Sequence, residues 1–140
     1  MKIISHRGNL YGPNPDCENN PTYIQQALDS GFDVEIDVWY ADGQFFLGHD
    51  APTYLVDSNW LSSRSNFLWC HAKNTDALFY MKDLNLNYFW HESDDVTLTS
   101  YGVPWCYPGI FVRDGITVCL QKTDIDNVYG VCTDHAYDWL

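Results

Sequence analysis

The sequence predicts an α/β fold built on a mainly parallel sheet. Three observations carry this. Phe32–Tyr40 (FDVEIDVWY) alternates as only a strand does: Val34, Ile36 and Val38 fall on one face, Glu35 and Asp37 on the other. Apolar runs and amphipathic segments follow in the order strand, helix, strand, hairpin, strand, helix, strand, which is the signature of consecutive βα units. His6, Asp37, His71 and His91 all fall at or near predicted strand ends, where such sheets carry their active groups. About eight strand candidates occur, in a chain shorter than the roughly 200 residues of a typical closed barrel. The expectation is one domain over residues 1–140, a compact TIM-type (β/α) barrel with several outer helices shortened or missing.

The elements follow from local signals. Lys2–Ser5 is a short apolar strand ending at His6, and Asn9–Pro15 (NLYGPNP) is a loop dense in breakers. A helix begins near Asn20 or Pro21, with Asn20 as cap, Ile24, Ala27 and Leu28 at helical spacing, and Gly31 as the stop. The strand Asp33–Tyr40 turns at Ala41-Asp42-Gly43, a hairpin signal, and returns as Gln44–Leu47 before Gly48-His49-Asp50. Ser58–Ser62 is a short helix, Asn66–His71 a third main strand, Thr75–Leu84 a helix with Ala77, Leu78 and Met81 inward, and Leu86–His91 a fourth strand. Short apolar bursts follow at Val96–Leu98, Val103–Trp105, Ile110–Val112, Ile116–Leu120 and Tyr129–Cys132, with a helical turn at Asp124–Val128.

Composition narrows the function. The net charge of −12 argues against nucleic acid and anionic membrane surfaces as partners. No run approaches 18 apolar residues, so no membrane span is expected, and MKIISHRG lacks the apolar core and cleavage site of a secretory signal. The five cysteines are odd in number, widely spaced and without a C-x-x-C pair, so buried inert thiols and a reducing, cytoplasmic setting are expected. With only seven Lys and Arg residues, the positions of Arg7 and Lys73 are informative.

Glu35 and Asp37 are the centre of the chemical reading. Two carboxylates two apart on one strand face repel unless a cation or proton lies between them, and a divalent ion held by oxygen ligands is the economical explanation. A solvated strand face is the plain alternative, less apt where a parallel strand is covered on both sides. Histidines such as His6 and His49 suit proton transfer because their unperturbed pKa is about 6.5. Lys73 has surface pairing with Asp76 as its plain alternative, and His91 a loop-capping role. His135 and the tryptophans 90, 105 and 139 are expected to be structural.

The ordered set ISHRGN, Glu18-Asn19-Asn20 before a helix, and DVEIDVWYADGQFFLGHD resembles the opening of the glycerophosphodiester phosphodiesterase family. The match is strong over about the first 50 residues, weaker at Asn66–Asn74, and loose at Gly102–Gly109 and Val131–Asp134. The resemblance implies a barrel, a divalent cation (Mg, Ca, Mn or Zn) and hydrolysis of a glycerophosphodiester or related phospholipid head group, hence a place in lipid metabolism. Glu35 and Asp37 would be metal ligands and His6 and His49 the general acid and base. Arg7 would contact the phosphate, Glu18 would support the site, and Lys73 would match the lysine of the third-strand E-x-K element. That strand here reads His71-Ala72-Lys73, so His71 stands where the family has a carboxylate. An imidazole removes one negative charge and suits Mn or Zn better than Ca or Mg.

The chemistry is coherent apart from the resemblance. A phosphodiester gains negative charge on the way to products, and metal, arginine and lysine stabilise it. One histidine accepts a proton from the attacking group and the other protonates the leaving alkoxide. The attacking group is water or the substrate's own glycerol hydroxyl, the latter giving a cyclic phosphate as in the related spider-venom phospholipases. The sequence leaves both open. Two alternatives belong to other classes: a degenerate barrel serving as a binding or structural module, and a barrel that closes only as an oligomer.

Overall fold

The computed structural model describes residues 1–140. In chain order the elements are β1 (Lys2–His6), α1 (Pro21–Asp29), β2 (Asp33–Ala41), β3 (Gln44–Leu47), β4 (Tyr54–Val56), α2 (Ser58–Ser62), β5 (Leu68–Ala72), α3 (Thr75–Met81), β6 (Asn87–Phe89), β7 (Val96–Leu98), β8 (Pro104–Cys106), β9 (Ile116–Val118) and β10 (Gly130–Thr133). Two short 3-10 turns, Lys82–Leu84 and Ala136–Trp139, complete the set.

The elements up to β6 sit close to where the sequence predicts them. Asn20 caps α1 by accepting from the Thr22 amide, Asp57 caps α2 through Trp60, and Asn74 caps α3 through Ala77. Asp42 and Gly43 both take positive φ, 53° and 76°, the paired left-handed turn that suits a two-residue hairpin. β4 was not anticipated; its three residues pair with β3.

The architecture differs from the predicted barrel of alternating strands and helices. It is a curled mixed sheet, a half-barrel. Seven strands run parallel in the order β6-β5-β2-β1-β10-β9-β8. β3 and β4 extend β2 as antiparallel strands, and β7 lies antiparallel on β8. No ladder joins β6 to β7 or β8. That edge is bridged by single hydrogen bonds, such as Ser100 N donating to Tyr88 O at 2.8 Å and Thr97 Oγ1 to Trp90 O at 2.9 Å.

The reason lies in the connections after β6. Residues 107–115 and 119–129 link parallel strands without a helix. Each is at or below the roughly 10–12 residues that a crossover with its helix requires. Pro108, Gly109, Asp114 and Asn127 interrupt them, the last three with positive φ. The apolar burst at Ile110–Val112 forms no strand, and the expected helical turn at Asp124–Val128 does not form.

The curled sheet has two apolar faces. The outer one packs Val34, Ile36, Val38, Leu68 and Cys70 against Ile24 and Ala27 of α1, Leu61 of α2, and Ala77 and Met81 of α3. The concave one is lined by Ile4, Trp69, Phe89, Trp105, Ile116 and Cys132, one residue from each of six strands. Phe89 stacks on Trp105 at 4.5 Å between centroids, so aromatic packing spans the gap that no ladder closes. Strand alternation puts His6, Glu35, Asp37 and His71 on this concave face as well, towards the carboxyl ends of β1, β2 and β5.

Candidate metal centre

Register brings the site together. His6 pairs with Glu35 across β1 and β2, and Asp37 with His71 across β2 and β5. Asp134 follows Thr133, the partner of Ser5, and so comes level with His6. Both carboxylates of β2 are inside: Glu35 is 2% exposed and Asp37 is 0% exposed. They are therefore not a solvated strand face.

Glu35, Asp37 and His71 each present one ligand atom, all within 4.8 Å of one another. Nδ1 of His71 lies 3.4 Å from Asp37 Oδ1 and 3.7 Å from Glu35 Oε1. Donors held at about 2.1 Å around a tetrahedral ion lie about 3.4 Å apart, so the spacing fits a small divalent cation. Asp37 Oδ1 and Glu35 Oε2 are buried without any hydrogen-bond partner, a costly state that a cation relieves. Asp37 Oδ2 is satisfied separately, accepting from Asn19 Nδ2 at 2.9 Å. Asn19 Oδ1 in turn accepts from the Asp37 amide.

The electrostatics match. Burial disfavours a charged His71, but its closeness to Asp37 and Glu35 outweighs this and lifts its pKa to about 9. Burial also opposes ionisation of Asp37, yet His71, Arg7 and Asn19 together hold it at about 2. In the metal-free centre a protonated His71 thus supplies the positive charge beside the two carboxylates.

His6 flanks the centre. Its Nδ1 hydrogen-bonds Asp134 Oδ1 at 2.8 Å, and its Nε2 lies 3.7 Å from Glu35 Oε2. Burial lowers its affinity for a proton, but the Asp134 bond and the charge of Glu35 leave its pKa above the ordinary histidine value. Burial likewise works against the Asp134 carboxylate, and His6 and Asn9 more than offset it, so its pKa falls below the usual range. Asn9 ties this to the next group: its Nδ2 donates to both Asp134 Oδ1 and Glu18 Oε1 at 2.8 Å, while its Oδ1 accepts from the Tyr23 hydroxyl.

Arg7 leaves β1 in a left-handed conformation, φ 57°, its amide donating to Glu35 O and its carbonyl accepting from Asn19 N. Its Nε lies 3.1 Å from Asp37 Oδ2, and one terminal nitrogen 3.5 Å from Glu18 Oε2. Gly8 follows with φ 92°, and a Cβ there would come within 2.8 Å of the Tyr23 ring. Gly48 is under similar constraint, since a Cβ would run into Ala51 O. The glycines of HRG and GHD therefore serve close packing.

The remaining predicted residues sit further out. His49 is at the rim, its side chain 45% exposed and its Nδ1 2.7 Å from Asp50. It shares with Arg7, Glu18 and Tyr54 an open pocket of about 390 Å³, which His6 does not line. Lys73 is half-buried and makes no ion pair, with Asp76 or otherwise, and its amide bonds Val38 O. His91 enters the site through its backbone carbonyl, which accepts from His71 Nε2 at 2.8 Å.

Asp134 and Asn9 were missed as site residues. Asp134 closes the last apolar burst, and the pairing of first and last strands that gives it meaning is a long-range fact. Asn9 was legible in part, as the residue after HRG. No protein-family model, curated protein or solved structure matches the chain.

Proposed function

We propose that the chain is a divalent-cation-dependent phosphodiester hydrolase that acts on a glycerophosphodiester or related head group. The observation that carries this is the cluster of buried Glu35 and Asp37 with half-buried His71, whose donor atoms lie within 4.8 Å of one another beside the His6–Asp134 pair. These three residues would hold the ion. When bound, it supplies positive charge to the developing phosphorane and acidifies a ligating oxygen.

The chain's own residues have the following parts. Asp134 holds the Nδ1 proton of His6 and leaves Nε2 turned towards Glu35, ready to take or return a proton at the reacting oxygen. Arg7, fixed by Glu18 and Asp37, offers its guanidinium to the phosphate. His49, which lines one pocket with Arg7, would act as the second acid–base group. Lys73, free of any ion pair, adds charge at the end of β5.

The test is hydrolysis of bis(p-nitrophenyl) phosphate and of glycerophosphocholine by metal-stripped protein, with zinc, manganese, magnesium or calcium added back. Metal-dependent turnover is expected, falling about 100-fold or more in His6→Ala with the fold retained. A binding module is the second reading, favoured by the exposed His49 already engaged by Asp50. A protein that binds metal but turns over no phosphodiester supports that reading and contradicts the hydrolase.

A further inference from the structure

The two nitrogens of His71 have different surroundings. Nε2 lies 2.8 Å from the carbonyl oxygen of His91, which can only accept, so Nε2 carries a proton. The ring lies flat on Phe89, with centroids 5.0 Å apart and planes 15° apart. The His91 carbonyl is itself held, because the His91 ring bonds the Asp94 carbonyl and meets the edge of Tyr107. His71 is thus locked with Nδ1 towards the two acids. There Nδ1 either takes a second proton or offers a lone pair.

A second proton serves the site poorly. One N–H can meet one acceptor, and neither Asp37 Oδ1 nor Glu35 Oε2 receives a hydrogen bond in the present arrangement. A cation held by Asp37 Oδ1, the Glu35 carboxylate and the imidazole lone pair satisfies all three groups. The donor set then discriminates between cations. Magnesium and calcium are hard ions that favour six or more oxygen ligands. Three protein ligands including an imidazole match the ligand number of a catalytic zinc site and fall short of the six or more oxygens of the hard ions. A carbonyl on the far imidazole nitrogen makes the near one a better donor.

We propose that this centre selects zinc-type ions, those that accept imidazole, over magnesium and calcium. The His91 carbonyl and the Phe89 ring are the positioning elements that fix the selective tautomer. The inference rests on the assignment of Glu35, Asp37 and His71 as ligands in the proposed function, and it goes on to name the ion.

The experiment is competition binding on the metal-stripped full chain, followed by calorimetry and by long-range proton–nitrogen NMR of the histidine rings. Zinc is expected to bind one to one and to stay bound against a thousandfold excess of magnesium or calcium. NMR is expected to show His71 as the Nε2–H tautomer, with Nδ1 shifted on zinc addition. His71→Glu is expected to narrow the zinc preference about tenfold or more. Should His71→Glu fail to fold, the wild-type competition and the NMR decide alone. Displacement of zinc by comparable magnesium or calcium, or an unshifted Nδ1 in the zinc-loaded protein, overturns the selectivity and leaves the hydrolase reading standing. Failure of zinc, manganese, magnesium and calcium all to bind overturns both.

Discussion

Nδ1 of His6 lies 2.8 Å from Oδ1 of Asp134, joining the first strand to the residue after the last across 128 positions of sequence. The pairing of β1 with β10 makes that contact, and it sets which nitrogen of His6 faces the acidic centre. Asp134→Asn is expected to lower phosphodiester turnover about 10- to 100-fold, as loss of an orienting partner does. It is also expected to move the His6 titration towards the ordinary histidine value in an NMR pH series.

The same pair makes stability depend on pH in the metal-free protein. Asp134 has a lowered pKa, so its contribution is present above the unfolded carboxylate value of about 3.9 and fades as pH falls. His6 has a raised pKa, so its contribution is present below about 6.5 and is lost as pH rises through the folded value. Thermal melts of Asp134→Ala against wild type in chelator are therefore expected to differ most between about pH 4 and 6.5, and less on either side.

Arg7 is the one fixed cation among Glu18, Asp37 and the centre. Arg7→Ala leaves buried carboxylates without their partner and is expected to destabilise the metal-free fold by about 3 kcal/mol in denaturant unfolding. Arg7→Lys restores charge without the fork that reaches both acids, and is expected to recover part of the stability but little of the substrate affinity, read as KM.

Trp105 tests the half-barrel. It stacks on Phe89 and sits 5.8 Å from Trp69 across the concave face. Trp105→Ala is expected to cost about 3–5 kcal/mol in denaturant unfolding, because β7 to β9 are held to β6 by this packing and a few single hydrogen bonds. A loss under 1 kcal/mol contradicts that account.

The sequence carried local information well and closure poorly. The alternation in β2 placed Glu35 and Asp37 opposite Val34, Ile36 and Val38, and the capping residue Asn20 marked α1. The Asp42-Gly43 hairpin signal was likewise legible, and both residues take positive φ. The barrel expectation failed after Phe89, because short apolar bursts do not say whether the links between them hold helices. Asp134 stayed hidden for a related reason: its role depends on β1 meeting β10, and nothing near it in sequence records that pairing.

The most direct test of the central claim is anomalous diffraction at the zinc edge from crystals of the metal-loaded chain. The account predicts a single peak bounded by Glu35, Asp37 and Nδ1 of His71, lost in Asp37→Asn. A zinc-soaked crystal in which those three side chains close on one another, with no peak between them, contradicts it.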